Sequence, residues 1–156
     1  MARVLDDSTD RLITTLLIGD GRRTLKSVAE ATGLSVSAVQ ARVRRLETDG
    51  VIRGYSASVD PEAVGLPLAA LIAINPLDPN HEYDIPERLE GLLEIESCHS
   101  VAGEASFMLF VRVASPSALE TLIREIRRRA NVSTQTTVVL QTFFERQATP
   151  SAVTAE

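Results

Sequence analysis

The chain has 156 residues, of which 44% are hydrophobic, and it contains one cysteine and no tryptophan. This length suits one ordinary domain or two small ones, and the hydrophobic share argues against wholesale disorder. The single cysteine, Cys98, excludes an intramolecular disulfide and is typical of a reducing cytoplasm. No apolar run reaches the roughly 18 residues of a membrane helix, and the acidic N-terminus lacks the apolar segment of a signal peptide. We therefore expect a cytoplasmic protein that makes no use of a membrane.

Charge is divided unevenly along the chain. The net charge is −5 overall, yet residues 1–59 hold nine Lys/Arg against seven Asp/Glu, and residues 60–156 hold seven against fourteen. This asymmetry indicates a nucleic-acid-facing end and a differently employed remainder. Because the basic end carries only a small excess, tight binding to DNA is easier to explain if several copies act together.

Residues 7–19 predict a first helix whose role is to cover the back of the next two helices. Its expected buried face consists of Leu12, Ile13, Leu16 and Leu17. Gly19 and Gly21 end it, and Arg22 and Arg23 follow in a loop, where they either reach phosphate or are solvated.

Residues 34–50 predict an amphipathic helix with a distinct beginning and end. Ser35 is a suitable N-cap because its hydroxyl can accept from a free amide of the first turn, and Gly50 closes the helix. The apolar stripe is formed by Val39, Val43 and Leu46. Residues 24–34 predict a shorter helix before it, with Gly33 in the turn. A short helix, a glycine-containing turn and a basic second helix form the helix-turn-helix pattern.

The outer face of this basic helix combines small residues with arginines. By helical geometry, the outer face contains Ser37, Ala41, Arg44 and Thr48. Ala38 and Arg45 lie on one shoulder of that face. Gln40 and Arg42 lie on its flanks, nearer the apolar stripe. Small residues let a backbone approach base edges, and guanidinium groups bond phosphate or guanine. The alternative is a solvated basic face without a partner. The helix-turn-helix pattern favours DNA binding.

Residues 51–65 suggest a short strand or narrow hairpin that turns at Gly54. It would form a small wing with Arg53 near the DNA backbone. Asp60-Pro61 and Gly65 mark a boundary. We therefore expect a helix-turn-helix domain over 1–52 and a strand-like linker over 53–66.

The second half alternates strands and helices. The predicted elements are a strand over 67–75, a helix over 85–93 with Leu89, Leu92 and Leu93 inside, a hairpin over 94–113 turning at Gly103, a helix over 116–130 and a strand over 132–145. This βαββαβ order predicts a ferredoxin-like domain over 67–146, followed by a flexible tail over 147–156. The fold class is α+β. Both helices lie on one sheet face, so a bare face carrying Leu, Ile, Val and Phe predicts dimerisation.

The ordered set of segments resembles the Lrp/AsnC family, the leucine-responsive or feast/famine transcriptional regulators. LDDSTDRLITTL (5–16) is similar to the family's first helix. Residues 33–65 are similar to its recognition helix and linker. SCHSVAGEASFMLFVRV (97–113) is similar to the central hairpin, and NVSTQTTVVL (131–140) to the last strand. The resemblance covers about 5–146.

The resemblance implies a C-terminal domain, called RAM, that binds an amino-acid effector, and dimers that assemble further, often to octamers. It implies control of amino-acid metabolism genes, sometimes the regulator's own. Combined with the helical layout, it predicts a DNA-contacting set of Ser35, Ser37, Ala38, Gln40, Ala41, Arg42, Arg44, Arg45 and Arg53.

The effector site that the resemblance implies lies at an interface between subunits. Its residues are Val101, Ala102, Gly103, Glu104, Ala105, Ser106, Thr134, Thr136 and Thr137. Amides around Gly103 and the two later threonine hydroxyls could hold a carboxylate, and Glu104 could meet an ammonium. Alternatively, these threonines only reflect β-propensity. Ser106 stands where many members have aspartate, which removes an acid from the loop.

An enzyme and a pure amino-acid-binding module were the alternatives. The available catalytic groups are His81, His99 and Cys98; the last two are adjacent on a strand and therefore point to opposite faces. No metal-ligand spacing, phosphate loop or nucleophile elbow occurs. We expect no catalysis, no cofactor and no metal. The helix-turn-helix and the charge asymmetry argue against a module without DNA binding.

Overall fold

The computed structural model describes residues 5, 7–78, 80 and 82–145. Within them the chain divides into two compact units. The first takes the residues up to Ser58 together with Phe144 and Glu145, and the second spans Val59–Phe143. The division falls inside the predicted linker, 53–66. The predicted tail over 147–156 lies outside the described residues.

The first unit contains three helices, α1 (Ser8–Gly19), α2 (Leu25–Thr32) and α3 (Val36–Thr48). Each begins at a side-chain cap, because the first amides of a helix have no partner within it. The Asp7 carboxylate accepts from the amides of Thr9 and Asp10 at 2.8 and 3.1 Å. Thr24 and Ser35 cap α2 and α3 through their hydroxyls.

The core of this unit lies where the three helices meet. Its buried members are Ile13, Leu17, Val28, Ala29, Val39, Val43 and Leu46. The predicted stripe of α3 is therefore confirmed. The assignment of Leu12 to the buried face of α1 was wrong, because Leu12 is 41% exposed. Ile13 and Leu17, four residues apart, take the inward direction, and Leu12 lies one step round the helix.

Helix α3 ends in a glycine motif. Gly50 has a φ of +70°, in the left-handed region that favours glycine. The amide of Gly50 donates to the carbonyl of Glu47 at 3.0 Å, and the amide of Val51 donates to that of Leu46 at 2.9 Å. This pair of bonds is the Schellman pattern, and it satisfies carbonyls that the helix end leaves free.

The segment after α3 differs from the prediction. Residues 51–67, all of them described, contain no strand, so the predicted short strand or hairpin over 51–65 was wrong. No second segment within the described chain pairs with it, and an isolated strand leaves its backbone groups unpaired. The Tyr55 hydroxyl instead donates to the Glu47 carboxylate at 3.0 Å, which ties this segment to α3.

The second unit is a four-stranded antiparallel sheet with two helices. Its elements are β1 (Leu68–Pro76), α4 (Ile85–Leu89), β2 (Ile95–Ser100), β3 (Phe107–Val113), α5 (Pro116–Ala130) and β4 (Val132–Val139). The strand order is β2-β3-β1-β4. This arrangement confirms the predicted βαββαβ domain. Residues on β3 alternate between buried and half-buried, since successive side chains point to opposite faces.

The core of the second unit lies between the sheet and its helices. Its fully buried large residues include Ile72, Ile74, Ile85, Leu89, Leu109, Val111 and Ile126. Two predicted elements are shorter than expected. Helix α4 ends at Leu89, and Leu93, predicted inside, is 92% exposed. Strand β4 ends at Val139 instead of continuing to 145. Val139 lies opposite Ala69, and β1 begins at Leu68, so residues 141–145 have no partner on β1.

Candidate functional site

The outward face of α3 carries most of the predicted DNA-contacting residues. Those exposed on the helix are Ser37, Gln40, Ala41, Arg44 and Arg45, with Ser35 exposed at its cap and Arg53 exposed after it. Ala38 and Arg42 are half-buried. Small residues occupy the N-terminal part of the face. Within the described part of the chain, the Arg44 guanidinium has no hydrogen-bond or ion-pair partner. Its charge is therefore available to an anion.

Two other arginines of α3 point toward α1. Arg42 Nη1 donates to Asp7 Oδ2 at 2.9 Å and to Asp10 Oδ1 at 2.8 Å. Arg45 Nη2 pairs with the second oxygen of Asp10. The Asp10 side chain is 6% exposed, against 29% for Arg42 and 53% for Arg45. We call these four side chains the α1–α3 ion network. Sequence reasoning missed Asp7 and Asp10; acids three residues apart at the start of a predicted helix were the available signal.

The contacts of the ion network shift the pKa values of Asp7 and Arg42. The pKa of Asp7 falls from 3.8 to about 2, first because Arg42 donates to its carboxylate and then because the Asp10 amide does so. The same pairing, with Asp10 first and Asp7 second, raises the pKa of Arg42. Hydrogen bonds to a charged form favour that form. The Asp7–Arg42 pair therefore remains ionised throughout the neutral range.

The predicted effector loop, Val101–Ser106, closes on itself between β2 and β3. The amide of Val101 donates to the carbonyl of Ser106 at 3.1 Å. The amide of Ser106 donates in turn to the carbonyl of Ile74 at 3.2 Å and to the side-chain oxygen of Asn75 at 2.9 Å. The Ser133 hydroxyl donates to the Asn75 carbonyl at 3.4 Å. Asn75, which sequence reasoning missed, thus joins the loop to the beginning of β4.

The two predicted parts of the effector site meet only at this end of the sheet. Thr134 lies opposite Ile74, next to the loop, whereas Thr136 and Thr137 lie opposite Ile72 and Leu71, farther along β1. Because strand residues alternate, Thr136 and Thr137 point to opposite faces. Their hydroxyls do not converge within one protomer, contrary to the expectation that both hold one carboxylate. The Thr134 hydroxyl already accepts from Arg127 Nε at 2.8 Å.

The tip of the loop is open. A side chain added at Gly103 would meet no atom within 4 Å, and Gly103 is not among the glycines with positive φ. Within the described chain, the Glu104 carboxylate is exposed and has neither a hydrogen-bond nor an ion-pair partner. Two cavities, of 380 Å³ between α4 and β2 and of 450 Å³ between α1 and residues 51–55, are lined by other residues. The loop therefore offers amides around Gly103 and the Glu104 carboxylate without partners among the described residues.

The sheet face opposite the helices carries a mixed apolar surface. Leu71 is 38% exposed at its centre, and Phe110 lies opposite it on β3. The Arg112 guanidinium carbon lies 5.2 Å from the Phe110 ring centroid, and Arg112 Nε lies 3.0 Å from Glu96 Oε1. The sheet isoleucines, Ile72 and Ile74, face the helices instead. We call the outward-facing Leu71, Ala73, Met108 and Phe110 the outer sheet patch.

The candidate catalytic groups Cys98 and His99 lie on β2. Cys98 and His99 lie opposite Leu109 and Met108, which confirms that they point to opposite faces. Burial raises the pKa of the Cys98 thiol. His81 lies outside the described residues. The described chain contains no group of three or more His, Cys, Asp or Glu side chains placed to hold a metal ion. None of its helices combines the length and the apolar character needed to cross a membrane.

Both units are similar to known protein families. Residues 6–53 match the family model of winged helix-turn-helix DNA-binding domains, and residues 70–149 match that of the Lrp/AsnC ligand binding domain. The HTH-type transcriptional regulator LrpA of Mycobacterium tuberculosis is 56% identical over 151 residues, which cover 96% of this chain and 100% of that protein.

Solved structures give the same assignment. The feast or famine regulatory protein of M. tuberculosis complexed with L-methionine is 54% identical, with a TM-score of 0.90 over 93% of this chain and 99% of that one. AsnC of E. coli is 28% identical, with a TM-score of 0.84 over 92% and 98% of the two chains. The chain carries a helix-turn-helix with an exposed basic face and a βαββαβ ligand-binding domain, and it belongs to the Lrp/AsnC family of transcriptional regulators.

Proposed function

We propose that this regulator binds operator DNA as a homo-oligomer in the cytoplasm and that an amino acid bound to its C-terminal domain changes that binding. Its target genes belong to amino-acid metabolism and include the gene of the regulator itself. The observation that carries the proposal is the outward face of α3, where small residues lead to the unpaired Arg44 guanidinium. A major-groove helix needs close backbone approach and a free donor for phosphate or guanine.

The proposed DNA surface extends beyond Arg44. Ser37, Gln40 and Ala41 share its exposed side, and Arg53 follows on the segment that Tyr55 ties to α3. The Ser35 hydroxyl is occupied by the Ala38 amide and lies 3.1 Å from the Ser37 hydroxyl, so Ser35 acts mainly as a cap. Two-fold dimers predict a pseudo-palindromic operator with half-sites about one helical turn, or a multiple of it, apart.

The oligomer supports this function in two ways. The outer sheet patch buries apolar area when two copies pair, which is favourable because exposed apolar patches of this kind mark interfaces. Pairing also brings two α3 helices to one DNA, and this compensates for a weakly basic domain through effective concentration. Further assembly, to an octamer, would complete effector sites between subunits, since the loop and Thr136 and Thr137 do not enclose a ligand within one protomer.

The proposed effector is a free amino acid. Its carboxylate suits the backbone amides around Gly103, and its ammonium suits the unpaired Glu104 carboxylate. A relative that is 54% identical to this chain forms a complex with L-methionine, which makes methionine the first compound to test.

The DNA-binding proposal is tested by fluorescence anisotropy with a labelled duplex from the region upstream of the regulator's own gene. The wild type should bind this duplex more tightly than a scrambled one, and rising salt should weaken binding. Arg44→Ala should strongly weaken binding to this duplex and reduce its dependence on salt. Arg124→Ala, which removes the same charge from an exposed position on α5, is the matched control. Equal binding by Arg44→Ala and the wild type would contradict the proposal that α3 is the recognition helix.

The effector proposal is tested by the same titration with each of the twenty amino acids. Methionine or a related apolar amino acid should shift the operator affinity of the wild type. Glu104→Gln should abolish that shift and leave the affinity of the unliganded protein unchanged. Ser106→Asp, which supplies the acid found in many relatives, should change which amino acid is effective. An operator affinity indifferent to all twenty would contradict the effector proposal alone.

A further inference from the structure

We propose that Arg42 is a positioning residue for DNA recognition: through Asp7 and Asp10 it fixes the recognition helix α3 on α1, and it does not neutralise a DNA phosphate. This inference rests on the proposed DNA binding and assigns a separate role to one arginine of the predicted DNA-contacting set. It concerns the described first unit only.

The contacts of Arg42 leave little of its charge for DNA. One nitrogen, Nη1, donates to two carboxylates at 2.9 and 2.8 Å, and the side chain is only 29% exposed. The formal charges of the four side chains in the α1–α3 ion network sum to zero. A cation that already neutralises carboxylates is less able to displace the counterions condensed at a DNA phosphate. Arg44, two residues further along α3, has no such partner among the described residues.

The geometry suits a positioning role. Asp10 lies in the first turn of α1 and is buried, as are Ile13 and Thr14, so its position follows that of the α1 backbone. Arg42 lies one residue before Val43, a core residue of α3. A charge-assisted bond to a buried carboxylate is short and directional, and it restricts rotation and sliding of one helix against the other. Asp7 adds a second anchor at the cap of α1.

Asp10 also affects Arg45, which stays in the predicted DNA-contacting set. The Arg45 side chain is 53% exposed, and its guanidinium is paired with Asp10 through one nitrogen. The same carboxylate thus locks Arg42 between the helices and limits the rotamers of Arg45 on the outer shoulder of α3. A side chain that is ordered before binding loses less entropy when it meets DNA.

The dependence of affinity on salt separates the two roles. Loss of a phosphate contact lowers the magnitude of the slope of log K against log[salt] by about 0.9, whereas loss of a positioning contact weakens binding at every salt concentration and leaves the slope unchanged. The probe is the labelled duplex from upstream of the regulator's own gene. The full-length variants are Arg42→Gln and, as the matched phosphate-contact control, Arg44→Gln.

We expect Arg42→Gln to bind roughly tenfold more weakly than the wild type, with the wild-type slope, whereas Arg44→Gln loses about 0.9 of slope per bound protomer. Circular dichroism melting should show a lower melting temperature for Arg42→Gln alone. A slope loss in Arg42→Gln equal to that in Arg44→Gln would overturn the proposal. A wild type that fails to bind DNA would instead contradict the proposed function, so the two failures are distinguishable.

A second variant decides the question if Arg42→Gln does not fold. Asp7→Asn keeps a good helix cap but removes one anchor of Arg42. Asp20→Asn removes an exposed acid from the same unit and measures the general effect of one less negative charge. The proposal expects Asp7→Asn to bind more weakly than Asp20→Asn. Tighter binding by Asp7→Asn would mean that the released Arg42 contacts phosphate, and this would overturn the proposal.

Discussion

At the scale of single residues, Asp10 is the unusual feature of the first unit. Its neighbours in the core are apolar, yet its side chain carries a carboxylate with only 6% exposure. A buried charge is tolerated when it is paired and hydrogen-bonded, and Arg42 and Arg45 each engage one of its two oxygens. The pairing explains why a helix bundle this small keeps an acid inside.

We therefore predict that Asp10→Ala lowers the free energy of unfolding by about 2 kcal/mol, the scale of a hydrogen bond to a charged group. The loss stays moderate because both arginines reach solvent once the acid is gone. Urea unfolding followed by circular dichroism measures it. Asp20→Ala, at an exposed loop acid, should change the free energy of unfolding by less than about 0.5 kcal/mol. Equal effects of the two substitutions would show that the network does not stabilise the fold.

The low pKa of Asp7 predicts how the stability of the protein changes in acid. Its folded-state pKa is about 2, below the ordinary value of 3.8. A depressed carboxyl pKa contributes stability above the ordinary value, and that contribution disappears as pH falls toward the folded value. The stability difference between the wild type and Asp7→Asn should thus be constant above pH 5 and should shrink between about pH 4 and pH 2. Urea unfolding of both proteins across this pH range measures the stability difference. A difference that does not change with pH would contradict the lowered pKa of Asp7.

At the scale of elements, α3 is the helix whose limits are best explained. Ser35 caps its beginning through a hydroxyl that accepts from the Ala38 amide at 3.2 Å, and the glycine motif ends it. Its three apolar residues fill the core of the unit. These local features leave the opposite side free for a partner, and they explain why the prediction over 34–50 agrees with Val36–Thr48 within two residues.

We predict that Ser35→Ala lowers the free energy of unfolding by about 1 kcal/mol, the usual value of a lost N-cap. Ser35→Asp should retain stability, since aspartate caps equally well, but should weaken DNA binding by adding a negative charge at the proposed interface. Thermal melting and anisotropy titration separate the two effects. Stability of Ser35→Ala equal to that of the wild type would contradict the role of the cap.

At the scale of the whole molecule, the outer sheet patch is the surface proposed for self-association. Phe110 and Leu71 lie opposite each other on neighbouring strands, away from both helices. We predict that Phe110→Glu reduces the oligomer to smaller species because a carboxylate at a closed apolar interface loses its hydration. Sedimentation velocity measures the species, and circular dichroism checks the fold. Thr121→Glu, at an exposed position of α5, is the control and should leave the assembly unchanged.

The limits of prediction differ between elements. The apolar period of 3.6 located α1, α3 and α5, and alternation over residues 94–102 located β2, because these patterns record which side of an element is buried. Two predicted strand segments were wrong for the same reason. The segment over 51–65 has strand-like composition, and residues 140–145 were predicted to continue the last strand, but neither segment has a strand to pair with in the described chain. Pairing depends on where another strand ends, which composition does not encode.

The sequence by itself determined the helix-turn-helix, the βαββαβ order and the outward basic face of α3, since capping residues, turn glycines and apolar spacing act within a few residues. The tertiary structure alone decided what each polar side chain meets. It joined Arg42 and Arg45 to acids more than thirty positions away, left Arg44 without a partner among the described residues, linked Ser106 to Asn75, and turned Thr136 and Thr137 to opposite faces. Charges and hydrogen bonds act over a few ångströms of space, and only the packing of whole elements sets those distances.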